Sequence, residues 1–334
     1  MTPPGDGGPR HCRSVLVTTS YPSSPDDASG HFVAAEVRAR RARGEHVTVL
    51  APRVAGSSPS PEPDVRWLPA YGAFGWPGAL ARLRERPWRA FGAMRFVLAA
   101  RRALACIDDA ERVVAHFIVP SAWPIAARAR LPLEVVAHGS DVRLIGRLPA
   151  PLRRRVARRL AGAEVRCASE ELRHELLRAL GPLPHTKLLV AAPVLELTRP
   201  WQRDEARAEL GVDARARLIV VVGRLVAGKR VDLALRAAEL VPGARVVVVG
   251  DGPERGELER RFPFARFVGQ VPRSRALAWL AAADVLLSAS ALEGAPSVVR
   301  EARALGTRVV AVEAGDLAAW GKRDAGLCVL EARP

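Results

Sequence analysis

The sequence predicts an α/β fold built from two doubly wound, Rossmann-like halves. Its 334 residues exceed what one small core needs and suit two domains of roughly 150 residues each. Short runs rich in Val, Leu and Ala alternate with helical patterns, the signature of parallel strands covered by helices. That alternation lapses between Pro193 and Arg203 and restarts at Arg217.

Residues 1–12 are rich in Gly and Pro and are expected to be disordered. Ser14 to Ser20 (SVLVTTS) reads as a first buried strand, followed by a loop and a helix from Gly30 to Arg43. Gly44 stops that helix ahead of a second strand, His46 to Ala51, and the right-handed crossover makes the pair parallel. Arg53 to Trp76, dense in Pro, Gly and Ser, reads as a long loop, and Ala79 to Ala105 as a helical stretch mixing Arg with Trp and Phe. Strands at Arg112–Phe117, Leu133–Ala137, Glu164–Ala168 and Lys187–Ala191 complete a domain expected to span 13–196.

The second domain, 197–334, is expected to run RLIVVVG, helix 230–240, RVVVVG, helix 253–261, ARFVG, helix 273–282, DVLLS, helix 296–305 and RVVAV. Two such halves on one linker create a cleft, and ligands of doubly wound sheets bind beyond the carboxyl ends of the strands. The loops that follow each strand are therefore where chemistry belongs.

Composition narrows the function classes. The net charge of +16 would suit an anionic partner, yet Lys stands only at Lys187, Lys229 and Lys322, so the excess is almost all Arg and reads partly as coding bias. No nucleic-acid module or stacking-aromatic pattern accompanies it. Cys12, Cys106, Cys167 and Cys328 are scattered without metal or disulfide spacing, which fits a reducing cytosol. No run is long and apolar enough for a span, so a cytoplasmic protein is expected. The Arg-rich segments Ala79–Ala105 and Pro149–Leu160 make peripheral contact with an anionic inner membrane face an additional expectation.

Three loops of the second half stand out. Gly223-Arg224-Leu225-Val226-Ala227-Gly228-Lys229 sets two cations and two glycines before a helix, a pattern able to hold phosphate; a solvated basic turn is the competing account. Gly250-Asp251-Gly252-Pro253 reads as a tight strand-to-helix turn and is unspecific alone. Glu293-Gly294-Ala295-Pro296 with Glu301 places one carboxylate in a loop and one on the following helix, where each could accept hydroxyl hydrogen bonds. Acids that complement a helix dipole would explain either glutamate singly. In the first half, His116 and His138 end adjacent strands, Asp141 follows three residues beyond His138, and Gly30 opens a helix whose amides suit a phosphate.

In order and spacing, YP...SGHFV...ARGEHVTVLAP, AHGSD, VVGRL...KRVD, VVGDGP, FVGQV, ADVLLSAS and LEGAPSVVRE resemble the family 4 retaining glycosyltransferases from Val15 to about Val329. The resemblance implies a GT-B enzyme that takes a nucleotide-diphosphate sugar, without a metal cofactor, and passes the sugar to a carbohydrate or lipid-linked acceptor in cell-surface glycan synthesis. It implies that Arg224 and Lys229 neutralise the diphosphate, Glu301 binds the ribose, and Glu293 with the amides that follow it, in the donor-binding segment Gly294, Ala295 and Pro296, contacts the sugar. It further implies that His138 faces the sugar, Gly30 meets the phosphate, Gly269 to Val271 lies against the base, and His116 and Asp141 lie toward the acceptor. Gly223 and Gly252, as glycines that let the backbone turn tightly and approach an anion, are expected among the donor-binding residues. The absence of an Asp-x-Asp triplet agrees with metal independence.

Departures from the family pattern are AAPVLELTRP at the linker, Arg300 and Arg303 beside Glu301, Arg308 in place of proline, and an end at Pro334 before the expected crossover helices. The alternatives are a nucleotide-sugar epimerase on the same architecture and a truncated, inactive nucleotide-sugar-binding protein.

Overall fold

The computed structural model describes residues 12–331, except 25, 26, 28, 55–61, 63, 76, 77, 198 and 292. The disorder expected at the N-terminus thus falls, but for Cys12, outside the described residues. Two compact units are present, the second running from Val190 and also taking in Cys167–Glu175.

The first unit carries β1 Arg13–Val17, α1 His31–Ala42, β2 His46–Pro52, β3 Val65–Leu68, α2 Ala79–Glu85, α3 Ala90–Ala105, β4 Arg112–His116 and β5 Leu133–Ala137. It continues with α4 Ser140–Gly146, α5 Ala150–Leu160, β6 Glu164–Cys167, α6 Glu170–Leu180, whose residues up to Glu175 belong to the second unit, and β7 Lys187–Val190. Strand order is β3-β2-β1-β4-β5-β6-β7, with Val15 opposite both Thr48 and Val113 in parallel register. Val15, Leu16 and Val17 are wholly buried, as a parallel strand covered on both faces requires.

Three expectations need correction here. The first strand ends at Val17 rather than Ser20, because the Thr18 hydroxyl turns the chain: Oγ1 donates to the Ser20 carbonyl and accepts from its amide, at 3.0 and 3.1 Å. The stretch 53–76, read as a loop, contains the edge strand β3. The helical stretch 79–105 is interrupted at Pro87, where a short 3₁₀ turn separates α2 from α3, since proline cannot continue the hydrogen-bond ladder.

The second unit holds α7 Arg203–Leu210, β8 Arg217–Val222, α8 Val231–Glu239, β9 Ala244–Val249, α9 Arg255–Arg261, β10 Arg266–Gly269 and α10 Arg273–Ala282. After these come β11 Val285–Ser288, α11 Ser297–Ala304, β12 Arg308–Val312, α12 Leu317–Gly321 and β13 Leu327–Leu330. Here the order is β10-β9-β8-β11-β12-β13. Alternate residues of β8 and β9 face opposite layers: Leu218, Val220, Val247 and Val249 pack with α7 and α10, whereas Ile219, Val221, Val246 and Val248 pack with α8 and α9. Of these elements α7, α12 and β13 were not expected, and α9 starts at Arg255 rather than Pro253.

Both sheets reverse direction of growth once, between β1 and β4 in the first and between β8 and β11 in the second. The loops at those reversals open the crevice in which doubly wound sheets take ligands.

Candidate functional site

In the second unit the crevice is formed by the loops after β8 and β11. Gly223 ends β8 and Gly250 ends β9, with φ of +134° at Gly250. A Cβ at Gly250 would lie 1.9 Å from the Gly223 carbonyl oxygen, so only glycine permits these two turns to touch. Gly252 sits equally tightly, a Cβ there meeting the Leu225 carbonyl oxygen at 2.3 Å. The Leu225 amide donates to the Asp251 carbonyl at 2.9 Å, laying the Arg224–Lys229 loop on the Gly250–Pro253 turn. Gly252 therefore shapes the floor of the basic loop.

That loop places Lys229 beside Glu293, with Nζ donating to Oε1 in a partly buried ion pair. Arg230 sets the juxtaposition. Its backbone is left-handed (φ 44°, ψ 48°), and its Nε donates to the Ala289 carbonyl at 2.7 Å, while the Ala291 amide donates to the Gly228 carbonyl at 3.0 Å. Arg224 remains exposed. The protein mass around its guanidinium draws its pKa below the ordinary arginine value, opposed by Glu293, and an arginine keeps its charge throughout. Two cations and one carboxylate thus share the mouth of the reversal.

Pro296 precedes α11, whose first amides have no partner within the helix and whose Val299 and Ala302 anchor it in the core. Gly294 and Ala295, half-buried, lead into it from Glu293. Glu301 is only 6% exposed and accepts from Arg273 Nη1 at 2.8 Å; Arg273 Nη2 also donates to the Glu196 carbonyl at 2.8 Å. Val271, half-buried, packs on the same core just after β10. Among the described residues no three His, Cys, Asp or Glu side chains converge as metal ligands.

The first unit gathers His116, His138 and Asp141 at the carboxyl ends of β4 and β5. His116 Nδ1 and His138 Nε2 are 3.0 Å apart, the rings stacked with centroids 5.2 Å apart. Phe32 and Phe117 flank His138 at 4.8 and 4.5 Å between centroids. Phe117 adopts φ 73°, a strained conformation for a bulky residue. Burial, reinforced by Arg166 and Arg40, pushes the His116 pKa down to about 3, and burial with His116 beside it lowers His138 well below the usual range. Both rings are neutral at physiological pH.

Asp141 is a clamp rather than a surface acid. Its Oδ2 accepts from the Ile118 amide at 2.7 Å and its Oδ1 from the His138 amide at 3.0 Å, tying the two strand ends together. Burial raises its pKa, and those amides counter the rise. Gly30, with φ 70°, ends the loop after β1 and starts α1; a Cβ there would meet the Ser20 carbonyl oxygen at 2.4 Å.

The departures noted in the sequence have structural partners. Arg300 Nη1 donates to the Pro193 carbonyl at 2.7 Å, Arg303 grips Asp324 through Nε and Nη2 at 2.7 and 2.8 Å, and Arg308 stands exposed at the start of β12. Sequence reasoning missed Arg230, Arg273, Glu36 and Phe117, the residues that position the others. Only Arg230 lay inside a quoted motif, next to Lys229.

Residues 216–333 match the family model described as Glycosyl transferases group 1. Across 333 residues the chain is 28% identical to a protein named putative teichuronic acid biosynthesis glycosyltransferase TuaC, from Bacillus subtilis (strain 168), covering 92% of this chain and 83% of that one. Among solved structures, a sucrose-phosphate synthase from Thermosynechococcus elongatus superposes with a TM-score of 0.75 at 18% identity, over 97% of this chain and 86% of that one. Anabaena HepE in complex with UDP-glucose gives 0.64 at 18% identity, over the same shares. The fold is GT-B.

Proposed function

We propose that this GT-B glycosyltransferase moves a sugar from a nucleotide-diphosphate donor to an acceptor hydroxyl, retaining anomeric configuration and needing no metal. The observation that carries the reading is the Arg224–Lys229 loop held against Glu293 at the reversal of the second sheet. Breaking the bond from anomeric carbon to phosphate leaves a diphosphate anion and an oxocarbenium-like sugar, so fixed cations at the leaving group lower the barrier most directly. Arg224 stays charged and open to solvent, and Lys229 exchanges Glu293 for phosphate oxygens when donor arrives.

Glu301, locked by Arg273, is a fixed acceptor suited to the two ribose hydroxyls, and Val271 follows the strand that flanks the base. Glu293 and the amides after it take the sugar, and neutral His138 presents an imidazole to its hydroxyls. No carboxylate is placed as a covalent nucleophile in this reading, and the acceptor hydroxyl attacks from the face the diphosphate leaves. A UDP-sugar suits the site, since HepE is described in complex with UDP-glucose. The likeness to TuaC favours cell-surface glycan as the product, made at the cytoplasmic face.

We also propose that the first unit rests on an anionic membrane. Trp88 and Phe91 are 63% and 67% exposed, with Met94 and Leu98 exposed one and two turns further along α3. Arg101 donates to the Pro124 carbonyl at 3.4 Å and Arg159 to the Ala126 carbonyl at 2.9 Å, so α3 and the Arg-rich α5 brace the same segment. Exposed aromatics beside arginines fit the headgroup boundary.

Donor affinity tests the principal reading. Calorimetric titration with UDP-sugars should show binding that Lys229→Ala and Glu301→Ala each weaken about tenfold or more, as loss of a charge-assisted bond entails. Binding equal to that of the unaltered protein in both variants would remove the assigned site.

A further inference from the structure

The two histidines of the first unit end in a buried charge cluster that the proposed reaction does not use. Glu36, on α1, is 3% exposed. Its Oε1 accepts from Arg40 Nε at 3.1 Å and Nη2 at 2.9 Å, and from Arg166 Nη2. Glu134 accepts from Arg40 Nη2 at 2.5 Å and lies 2.8 Å from Arg166 Nη2, and Glu45 takes Arg40 Nη1 at 3.2 Å. Oε1 of Glu36 is thus committed to guanidinium groups. Oε2 faces His116 Nε2 at 3.4 Å.

His116 Nε2 is fully buried and makes no hydrogen bond of ordinary geometry. A neutral ring facing a carboxylate oxygen at this distance carries its proton on the facing nitrogen, because two lone pairs would repel there. His116 is then the Nε2–H tautomer, and its Nδ1 is an acceptor. The 3.0 Å contact to His138 must in turn be donated by His138 Nε2–H. His138 keeps Nδ1 as a lone pair, and that atom has no protein partner among the described residues on a half-buried side chain.

We propose that Glu36 is a positioning residue that, through His116, fixes the tautomer of His138, so that His138 Nδ1 meets substrate as a hydrogen-bond acceptor for a sugar hydroxyl. The inference rests on the reading that His138 faces the sugar. It adds a direction to that contact: a hydroxyl donates to His138 rather than accepting from it.

The isosteric variant Glu36→Gln makes a sharp test. Arg40 and Arg166 will hold the new carbonyl where Oε1 was, which turns the amide NH₂ toward His116 Nε2 as a donor. The relay then inverts: His116 becomes Nδ1–H and donates to His138 Nε2, and His138 carries its proton on Nδ1. Long-range ¹H–¹⁵N correlation spectra of ¹⁵N-histidine-labelled protein at pH 7 report each tautomer, with assignments from the signals lost in His116→Phe and His138→Gln. The unaltered protein should show Nε2–H at both rings, and Glu36→Gln should show Nδ1–H at both, with kcat about 10- to 100-fold lower and KM little changed. Nδ1–H at His116 in the unaltered protein, or unchanged tautomers in a folded Glu36→Gln, would overturn the proposal. Should Glu36→Gln not fold, His116→Phe cuts the relay and should leave His138 with both tautomers populated; a pure Nε2–H His138 there would overturn it equally. The spectra need no donor, so they judge the relay, whereas the donor titration judges the reading beneath it.

Discussion

Lys229 and Glu293 form an ion pair in the resting site, and the energetics of that pair set what a substitution does. Lys229→Ala removes a cation from the leaving group and leaves Glu293 without its partner, so turnover should fall about 10²- to 10³-fold, read as release of nucleoside diphosphate. The sequence displayed Arg224, Lys229, Glu293 and Glu301 because loops after strands keep their chemistry in short motifs. It hid their supports: Arg273 reaches Glu301 across 28 residues and Arg230 reaches the Ala289 carbonyl across 59, distances over which an isolated sequence carries no pairing signal. His116 also sets a pH dependence. Its folded pKa of about 3 lies below the value of 6.5 for a free ring, so the unfolded chain binds a proton that the folded chain refuses. Stability contributed by the neutral ring is present above pH 6.5 and is lost as pH falls from there toward 3. The urea midpoint of the first unit should drop over that window, and His116→Phe should flatten the slope.

Each sheet element reads clearly where both its faces are buried and poorly where one is open. The runs Leu218–Val222 and Arg245–Val249 are nearly all Val, Leu and Ile and were legible at once. The edge strands β3 and β13 were not: VRWL is exposed or half-exposed along its length, and the four-residue LCVL buries only Leu327. Helix α7 hid for another reason: RDEARAEL looks solvated, yet Arg207 is buried, donating to the Ala282 carbonyl at 2.9 Å and pairing with Asp284 at 2.9 Å. Two predictions belong at this scale. Gly250→Ala drives a Cβ into the Gly223 carbonyl at positive φ, and should destabilise the second unit by about 1–3 kcal/mol in denaturant titration. The Arg303 fork on Asp324 lowers that carboxyl below its ordinary pKa of 3.8. Its stabilisation is present above that pH and is lost as pH falls through the lower folded value, so Arg303→Leu should lower the melting temperature at pH 7 and lose its effect in strong acid.

Over the whole molecule, two doubly wound sheets of 3-2-1-4-5 type were foreseeable from the alternation alone, and the reversal points then located both clusters of candidate residues. Charge was the misleading signal. The excess of +16 points to anionic partners in general, whereas many arginines are spent inside the fold, on carbonyls and buried carboxylates, as Arg40, Arg207 and Arg303 show. For the proposed membrane contact α3 and α5 offer the exposed Arg95, Arg102, Arg154, Arg155 and Arg158, and sedimentation with anionic vesicles at low salt should show binding that Trp88→Ser with Phe91→Ser reduces and neutral vesicles do not support. The central claim is that fixed cations, rather than a metal, stabilise a departing nucleoside diphosphate. Its most direct test is nucleoside diphosphate release from a panel of nucleotide sugars with a chelator present, comparing the unaltered protein with Arg224→Ala and Lys229→Ala. The account predicts release that survives chelation and falls about 100-fold or more in each variant; release abolished by the chelator, or undiminished in both variants, would contradict it.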